Sequence, residues 1–198
     1  MMRLSALRSV FAAVALGLLV ASCGYNTIPT LEEQAKAKWS EVQNQYQRRN
    51  DLITNLVETV KGAANFEKGT LEAVVNARAK ATSIQITPGD LSDPAKLKQF
   101  QDAQNQLSGA LGRLIAVSEN YPDLKANQNF LALQSQIEGT ENRIAVARRD
   151  YIASVQQFNT SLRTFPTVLW AKTFFAGTKP MAEFTADEGA SKPPQVKF

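Results

Sequence analysis

The sequence predicts an all-α fold, an antiparallel up-and-down bundle of about four long helices with a short C-terminal helix. Between residues 130 and 165, large apolar side chains recur at every seventh position, the spacing of one buried helix face. The residues at this spacing are Phe130, Ile137, Ile144, Tyr151, Phe158 and Phe165. Because no stretch alternates polar and apolar residues as a strand would, the sequence indicates helices throughout.

The first helix is predicted to begin at Thr30, because Thr30 and Glu33 have the spacing of a capping box. Its buried stripe alternates spacings of three and four, and Gly62 with Asn65 marks the break at its end. The stripe contains Trp39, Val42, Tyr46, Arg49, Ile53, Leu56, Val60 and Ala63. The pattern therefore predicts one uninterrupted helix that packs against a partner.

Three further helices follow, separated by turn-forming residues. The second is predicted over 66–84, and the prolines and aspartates of 85–94 form a loop in which Ser92 or Asp93 caps the next helix. The third runs from about 95 to 120, and the fourth ends near Pro166. We expect the short apolar run 168–175 to fold back over one end of the bundle.

The first twenty-three residues have the features of a bacterial lipoprotein leader. Arg3 and Arg8 precede an apolar run over 10–21, which at about a dozen residues is short of the roughly 20 that span a bilayer. Val20, Ala21, Ser22 and Cys23 match a lipobox, in which the cysteine is acylated and the preceding peptide removed. We therefore expect a signal peptide over 1–22 and a palmitate-bearing anchor at Cys23.

This leader sets the expected domain organisation and location. Residues 23–29 form the lipidated cysteine and tether, residues 30–176 the helical bundle, and residues 177–198 a poorly ordered tail in which Phe184 is able to dock. The residue after the cysteine is Gly24 and not the aspartate that retains lipoproteins at the inner membrane in enteric-type sorting. We expect an outer-membrane lipoprotein that faces the periplasm.

Composition argues against several classes of function. The net charge of +4 includes Arg3 and Arg8, so the chain that remains after cleavage carries +2, and no basic cluster with interleaved aromatics indicates nucleic-acid binding. The chain has no histidine and one cysteine, which excludes Cys/His zinc sites, Ser-His or Cys-His nucleophile pairs and His-dependent diiron sites. We expect no metal, no cofactor and no disulfide within the monomer.

Paired carboxylates are the remaining signal for an enzyme, and it is weak. Glu119 and Asp123 flank a turn, and Asp51 and Glu58 lie one heptad apart. Such pairs occur on almost any solvated helix face. We do not expect an enzyme.

Four charged residues lie on or beside the apolar stripes: Arg49, Arg78, Glu141 and Arg148. An arginine suits such a position because its planar fork binds a carboxylate through two bonds and keeps its charge. In the favoured interpretation they form a buried network that fixes helix register. In the alternative, the surplus of arginines over Glu141 holds a small anionic ligand.

Several motifs together resemble those of the LemA family. Residues 46–57 (YQRRNDLITNLV) resemble its arginine-rich signature, with Thr54 where proline is usual. The further matching positions, in the family's order, are Ala77 and Arg78, residues 119–127 (ENYPDLKAN), Phe130, Leu133, residues 141–144 (ENRI), Ala147, Arg148, Tyr151, Phe165, Pro166 and Phe184. The resemblance extends over about 24–184.

The resemblance implies an antiparallel helical bundle held at a bacterial membrane with its bulk outside the cytoplasm, and no known enzymatic activity. Family members commonly use a transmembrane anchor, whereas this chain has a lipobox. The motif positions are interpreted as a buried polar network that sets the architecture: Arg49, Asp51, Asn55, Arg78, Glu141, Asn142 and Arg148.

The favoured function is a lipid-anchored helical scaffold or interaction module of the cell envelope. Its partners would be the membrane, through lipid on Cys23, and an envelope protein bound at an exposed patch near Trp170, Phe174 and Phe175. The alternative is a periplasmic binding protein for a small anionic ligand held by arginines. The sequence leaves the oligomeric state open.

Overall fold

A computed structural model describes residues 24–62 and 66–185. The predicted signal peptide, Cys23, Ala63 of the predicted stripe and residues 186–198 lie outside these ranges. The described helices are α1 (Thr27–Lys61), α2 (Lys68–Ser83), α3 (Pro94–Ser118), α4 (Pro122–Lys125), α5 (Gln128–Ser161) and α6 (Thr167–Thr173), with a 3₁₀ turn at Pro88–Ser92. Within the described ranges there is no strand, and the predicted all-α class with four long helices is confirmed.

Pairs of contacts fix the direction of the helices. Lys38 pairs with Asp150 and Arg49 with Glu141, so α1 and α5 run antiparallel. The rings of Phe66 and Tyr121 lie 4.8 Å apart at one end of the α2–α3 pair, and Lys80 donates to Gln106 further along it, so these two helices are also antiparallel.

The α1 and α3 helices run in the same direction. The ring of Trp39 packs on Phe100, and eight or more residues later in each helix Arg49 contacts Ser108. With α2 and α5 opposed to both, the four long helices alternate in direction, as the up-and-down prediction requires.

Two hydrophobic clusters fill the interior. The proximal cluster lies toward Gly24, and its buried residues are Ile28, Ala35, Trp39, Val42, Tyr46, Ile86, Leu91, Leu97, Phe100, Ile144, Ala147, Tyr151, Val155, Phe158, Met181 and Phe184. The distal cluster fills the other end with Leu52, Ile53, Leu56, Val57, Val60, Val74, Ala81, Ala103, Leu107, Leu111, Leu114, Leu124, Phe130 and Ile137. The core is therefore divided along the bundle axis.

The start of α1 differs from the prediction. The helix begins at Thr27, three residues before Thr30, with Asn26 at the N-cap and no side-chain cap bond. Ile28 is fully buried in the proximal cluster, so extending the helix toward the N-terminus gains apolar burial that a start at Thr30 would forgo. The cap of α3 was predicted correctly, because Asp93 accepts from the backbone N–H groups of Ala95 and Lys96.

The end of α5 also differs. The helix ends at Ser161, and Phe165 is 73% exposed although it continues the seven-residue spacing. A proline disfavours helical geometry in the residue before it, and Pro166 follows Phe165 directly. The backbone turns through 162–166, and α6 then folds back so that Trp170 and Phe175 pack against the proximal cluster, as expected for this apolar run.

The first part of the predicted disordered tail is packed in the structure. Met181 and Phe184 are buried in the proximal cluster, and the backbone N–H of Ala182 donates to the carbonyl of Leu91. Asn159 both donates to and accepts from the Met181 backbone. Two large apolar side chains and these bonds hold 177–185 on the bundle.

Across the described ranges, every helix falls short of the combination of length and apolar character that a membrane span requires.

Candidate functional site

The candidate site is a polar layer formed by Arg49, Gln104, Ser108 and Glu141. It lies where the proximal cluster gives way to the distal one. On α1, Arg49 lies between Tyr46 of the proximal cluster and Leu52 of the distal cluster. The buried residues of α3 and α5 likewise change from one cluster to the other near Gln104 and Glu141. Three helices therefore change from one cluster to the other at the same level, and their polar residues meet there.

The guanidinium of Arg49 is the centre of the layer. Its Nη1 donates to Glu141 Oε1 at 2.7 Å and to Ser108 Oγ at 2.9 Å, and its Nη2 donates to Gln104 Oε1. The Cζ atom lies 5.0 Å from the centre of the Tyr46 ring, which adds a cation–π contact. The Nε atom is buried without a hydrogen-bond partner.

The layer also connects to the fourth long helix, α2. Gln104 Nε2 donates to the carbonyl of Ala81 at 3.4 Å, and Arg78 Nε donates to the carbonyl of Asn50 at 3.3 Å. All four long helices are therefore tied together by polar contacts at one level of the bundle.

Burial of the charged pair is unequal. The side chain of Arg49 is 1% exposed, whereas that of Glu141 is 37% exposed. A buried cation costs several kcal/mol of desolvation unless it is paired and hydrogen-bonded, and Arg49 has one carboxylate and two neutral acceptors. Since Glu141 keeps contact with water, its own desolvation cost is smaller.

Arg148 lies on the proximal side of the layer. Its Cζ atom is 4.4 Å from the centre of the Phe184 ring. Burial raises the pKa of the Tyr46 hydroxyl, while the charges of Arg148 and Arg49 oppose that rise. Arg148 therefore joins α1, α5 and the packed segment 177–185.

Three of the predicted network residues lie outside the layer. Asp51, Asn55 and Asn142 are exposed, and Asp51 accepts from Gln47 within the same helix. Each residue advances a helix by about 100°, so Asp51 lies on the side of α1 opposite Arg49. The buried polar set is smaller than the sequence predicted, because a sequence motif mixes residues from both faces.

Two members of the layer were not predicted. Gln104 occupies a seam position between Phe100 and Leu107, and a polar residue at that spacing is the signal that could have assigned it to the network. Ser108 is exposed and gives no sequence signal, since a serine on an outer helix face is unremarkable. Its contact with Arg49 depends on how α1 and α3 are aligned.

The three arginines of the anion-binding alternative all contact other groups of the protein. Arg49 is bonded within the layer, Arg78 donates to a backbone carbonyl and Arg148 stacks on Phe184. A nearby groove of about 420 Å³ between α1 and α5 has Glu41, Asn142, Arg143, Val146 and Asp150 among its lining residues. The arginines required by the anion-binding alternative do not line this groove, so the geometry favours a structural role.

Comparison with known proteins decides the family. A sequence model described as the LemA family matches residues 38–198. This chain belongs to the LemA family. The match covers the polar layer and the packed segment, so the resemblance predicted from the motifs is confirmed.

The chain is also similar to individual curated proteins of bacteria. Magnetosome protein MamQ 2 and magnetosome protein MamQ 1 of Paramagnetospirillum magneticum are each 27% identical over 191 residues, covering 87% of this chain and 68% of theirs. Protein LemA of Metamycoplasma hominis is 30% identical over 128 residues, covering 65% of this chain and 54% of its own.

Proposed function

We propose that this LemA family chain is a lipid-anchored helical scaffold or interaction module of the bacterial cell envelope, held at the outer membrane through Cys23 and facing the periplasm. The observation that carries the proposal is the polar layer, whose charged and amide groups bond to one another and tie four long helices together. Such a layer serves to hold one helix register. We therefore assign the residues of the polar layer a structural role and not a catalytic one.

The dimensions of the bundle suit a scaffold. The α1 helix has 35 residues, and at about 1.5 Å per residue it extends roughly 50 Å. The described chain begins at Gly24, at the proximal end, directly after the lipobox cysteine. A lipid at Cys23 would attach the bundle by that end and leave the distal end, far from the membrane, open to a partner.

The relatives' names fit this proposal without deciding it. Two of them are named magnetosome proteins, after a cellular structure, and the third is named only for its family. None of these names states a reaction. A scaffold role without a reaction is compatible with these names.

Metabolic labelling with palmitate tests the anchor. The full-length chain should incorporate the label and sediment with outer membranes, whereas Cys23→Ser should lose the label. Stable anchoring takes more than one acyl chain, so the wild-type protein should stay with membranes after a salt wash. An unlabelled wild-type protein would contradict the proposed attachment.

Crosslinking in intact cells followed by mass spectrometry tests the scaffold role. We expect one or a few envelope proteins to be recovered reproducibly with the wild-type chain. The same neighbours should be lost with Cys23→Ser, because that variant is expected to be mislocalised. Repeated recovery of no neighbour would contradict an interaction module.

A further inference from the structure

An exposed aromatic surface lies at the proximal end of the bundle. The ring centres of Tyr25 and Trp170 are 5.7 Å apart, those of Tyr25 and Phe174 are 5.8 Å apart, and those of Trp170 and Phe174 are 5.6 Å apart. Phe175 also contacts Tyr25, at 5.4 Å. These four rings form one continuous cluster, which we call the aromatic surface.

Much of this end of the molecule is apolar and open to solvent. Phe174 is 68% exposed and Tyr25 42%, and on or beside α6 Leu169 and Phe165 are 54% and 73% exposed. Four of the seven large hydrophobic residues exposed in the described ranges are therefore at this end. A groove of about 590 Å³ with Leu31 and Phe165 in its wall opens here as well. Concentrated exposure of this kind marks an interaction site.

The aromatic surface is adjacent to the attachment point. A Cβ atom placed on Gly24 would lie 3.4 Å from Nε1 of Trp170, so the start of the described chain touches the indole. Cys23 directly precedes Gly24 in the sequence. A lipid on Cys23 would therefore enter the membrane beside these rings.

The charged residues on the C-terminal side of the surface are basic. Residues 163–180 include Arg163, Lys172 and Lys179 and contain no aspartate or glutamate. Residues 24–31 contain no charged side chain, and Glu32 and Glu33, which follow them, both pair with Lys36. A basic apolar surface is complementary to anionic lipid headgroups, where each Lys or Arg near the surface contributes roughly 1 kcal/mol. Tyrosine and tryptophan are themselves enriched at membrane–water interfaces.

We propose that the aromatic surface rests in the headgroup region of the bilayer and so sets the orientation of the bundle on the membrane. The occupant of the surface is lipid and not the partner protein that the sequence had suggested, because the cluster contacts the residue that follows the anchor. This inference rests on the proposed membrane attachment. The aromatic surface would be a second point of contact with the membrane, in addition to the lipid on Cys23.

Photocrosslinking in living cells tests the proposal with the full-length chain. The variant Phe174→p-benzoylphenylalanine places a crosslinker on the aromatic surface. The matched control is Leu131→p-benzoylphenylalanine, because Leu131 is 46% exposed and lies near the start of α5, thirty residues or roughly 45 Å from its end. Cells are grown with radioactive phosphate, irradiated, and the protein is purified in detergent.

Radioactive phosphate reports only a crosslinked phospholipid, because the diacylglyceryl group of a lipoprotein contains no phosphorus. We expect the protein to be labelled when the crosslinker is at 174 and to be unlabelled when the crosslinker is at 131. Equal labelling at both positions, absence of label at 174, a dimer-sized adduct at 174 or an adduct with another protein in place of lipid would each overturn the proposal.

Palmitate labelling of the same variants in cells that are not irradiated separates this inference from the proposed anchor, because a crosslinked phospholipid would itself carry labelled acyl chains. Palmitate incorporation without a phospholipid adduct at 174 would overturn the orientation and leave the anchor intact. A phospholipid adduct at 174 without palmitate would support the surface and overturn the anchor. Absence of both labels would overturn both.

Discussion

Nη1 of Arg49 lies 2.7 Å from Oε1 of Glu141 across 92 residues of sequence, at the level where the two hydrophobic clusters of the bundle meet. The arginine is buried and the glutamate is more than a third exposed. The buried charge of Arg49 is therefore paired with a carboxylate at the edge of the bundle, and that carboxylate keeps part of its hydration.

Glu141→Ala should destabilise the fold by about 2 kcal/mol, within the range for a lost hydrogen bond to a charged group. A fully buried pair would cost about 3–5 kcal/mol, but water reaches the Glu141 site and the arginine keeps Ser108 and Gln104 as acceptors. Urea unfolding measures the change. Glu138→Ala, an exposed glutamate on α5 that accepts from Gln134, should change stability by no more than about 0.5 kcal/mol.

Phe184→Ala should cost about 3 kcal/mol, because a buried phenylalanine is removed from the proximal cluster. The Phe184 ring stacks on Trp39 at 5.9 Å and contacts Tyr151 at 5.7 Å, and the Arg148 guanidinium covers it. Thermal and urea unfolding measure the loss. Thr185→Ala is the control, since the exposed Thr185 contributes its backbone carbonyl to Gln101 and alanine keeps that carbonyl. Equal stability of the two variants would mean that 177–185 is not held by the ring.

Alkaline pH should weaken the fold through Tyr151. Burial and the nearby Glu183 raise the pKa of the Tyr151 hydroxyl, which donates to the carbonyl of Ala182. Because the folded pKa lies above the unfolded value of about 10, the protonated tyrosine contributes stability below that pH and the contribution is lost as pH rises above it. The loss of unfolding free energy between roughly pH 9 and pH 11 should be smaller in Tyr151→Phe than in the wild type. An identical loss would rule out this role.

Most of the fold follows from apolar spacing. The residues from Phe130 to Phe158 at every seventh position are buried in α5, and the turn formers around Asp93 end one helix and cap the next. The seven-residue spacing predicts burial of Phe165 wrongly. Pro166 disfavours helical geometry at Phe165, although Phe165 still matches the spacing. The apolar spacing does not extend to 177–185, a segment that composition predicted to be poorly ordered. There Met181 and Phe184 bury enough apolar surface to hold the segment, and Phe184 docks as the sequence allowed.

The candidate site was harder to predict. Arg49 and Glu141 were identified because a charge on an apolar stripe requires a partner. Ser108 could not be found, since its contact depends on the alignment of two helices distant in sequence. Asp51 and Asn142 belong to the motif but face outward, and a motif without helix-face information cannot separate them from the buried set.

A double-mutant cycle between Arg49→Met and Glu141→Gln tests whether the polar layer holds the bundle together. Urea unfolding of the wild type, both single variants and the double variant gives the coupling free energy of the pair. We expect a favourable coupling of about 1 kcal/mol or more, since the two groups share a direct charged hydrogen bond. Additive effects, with a coupling near zero, would contradict it.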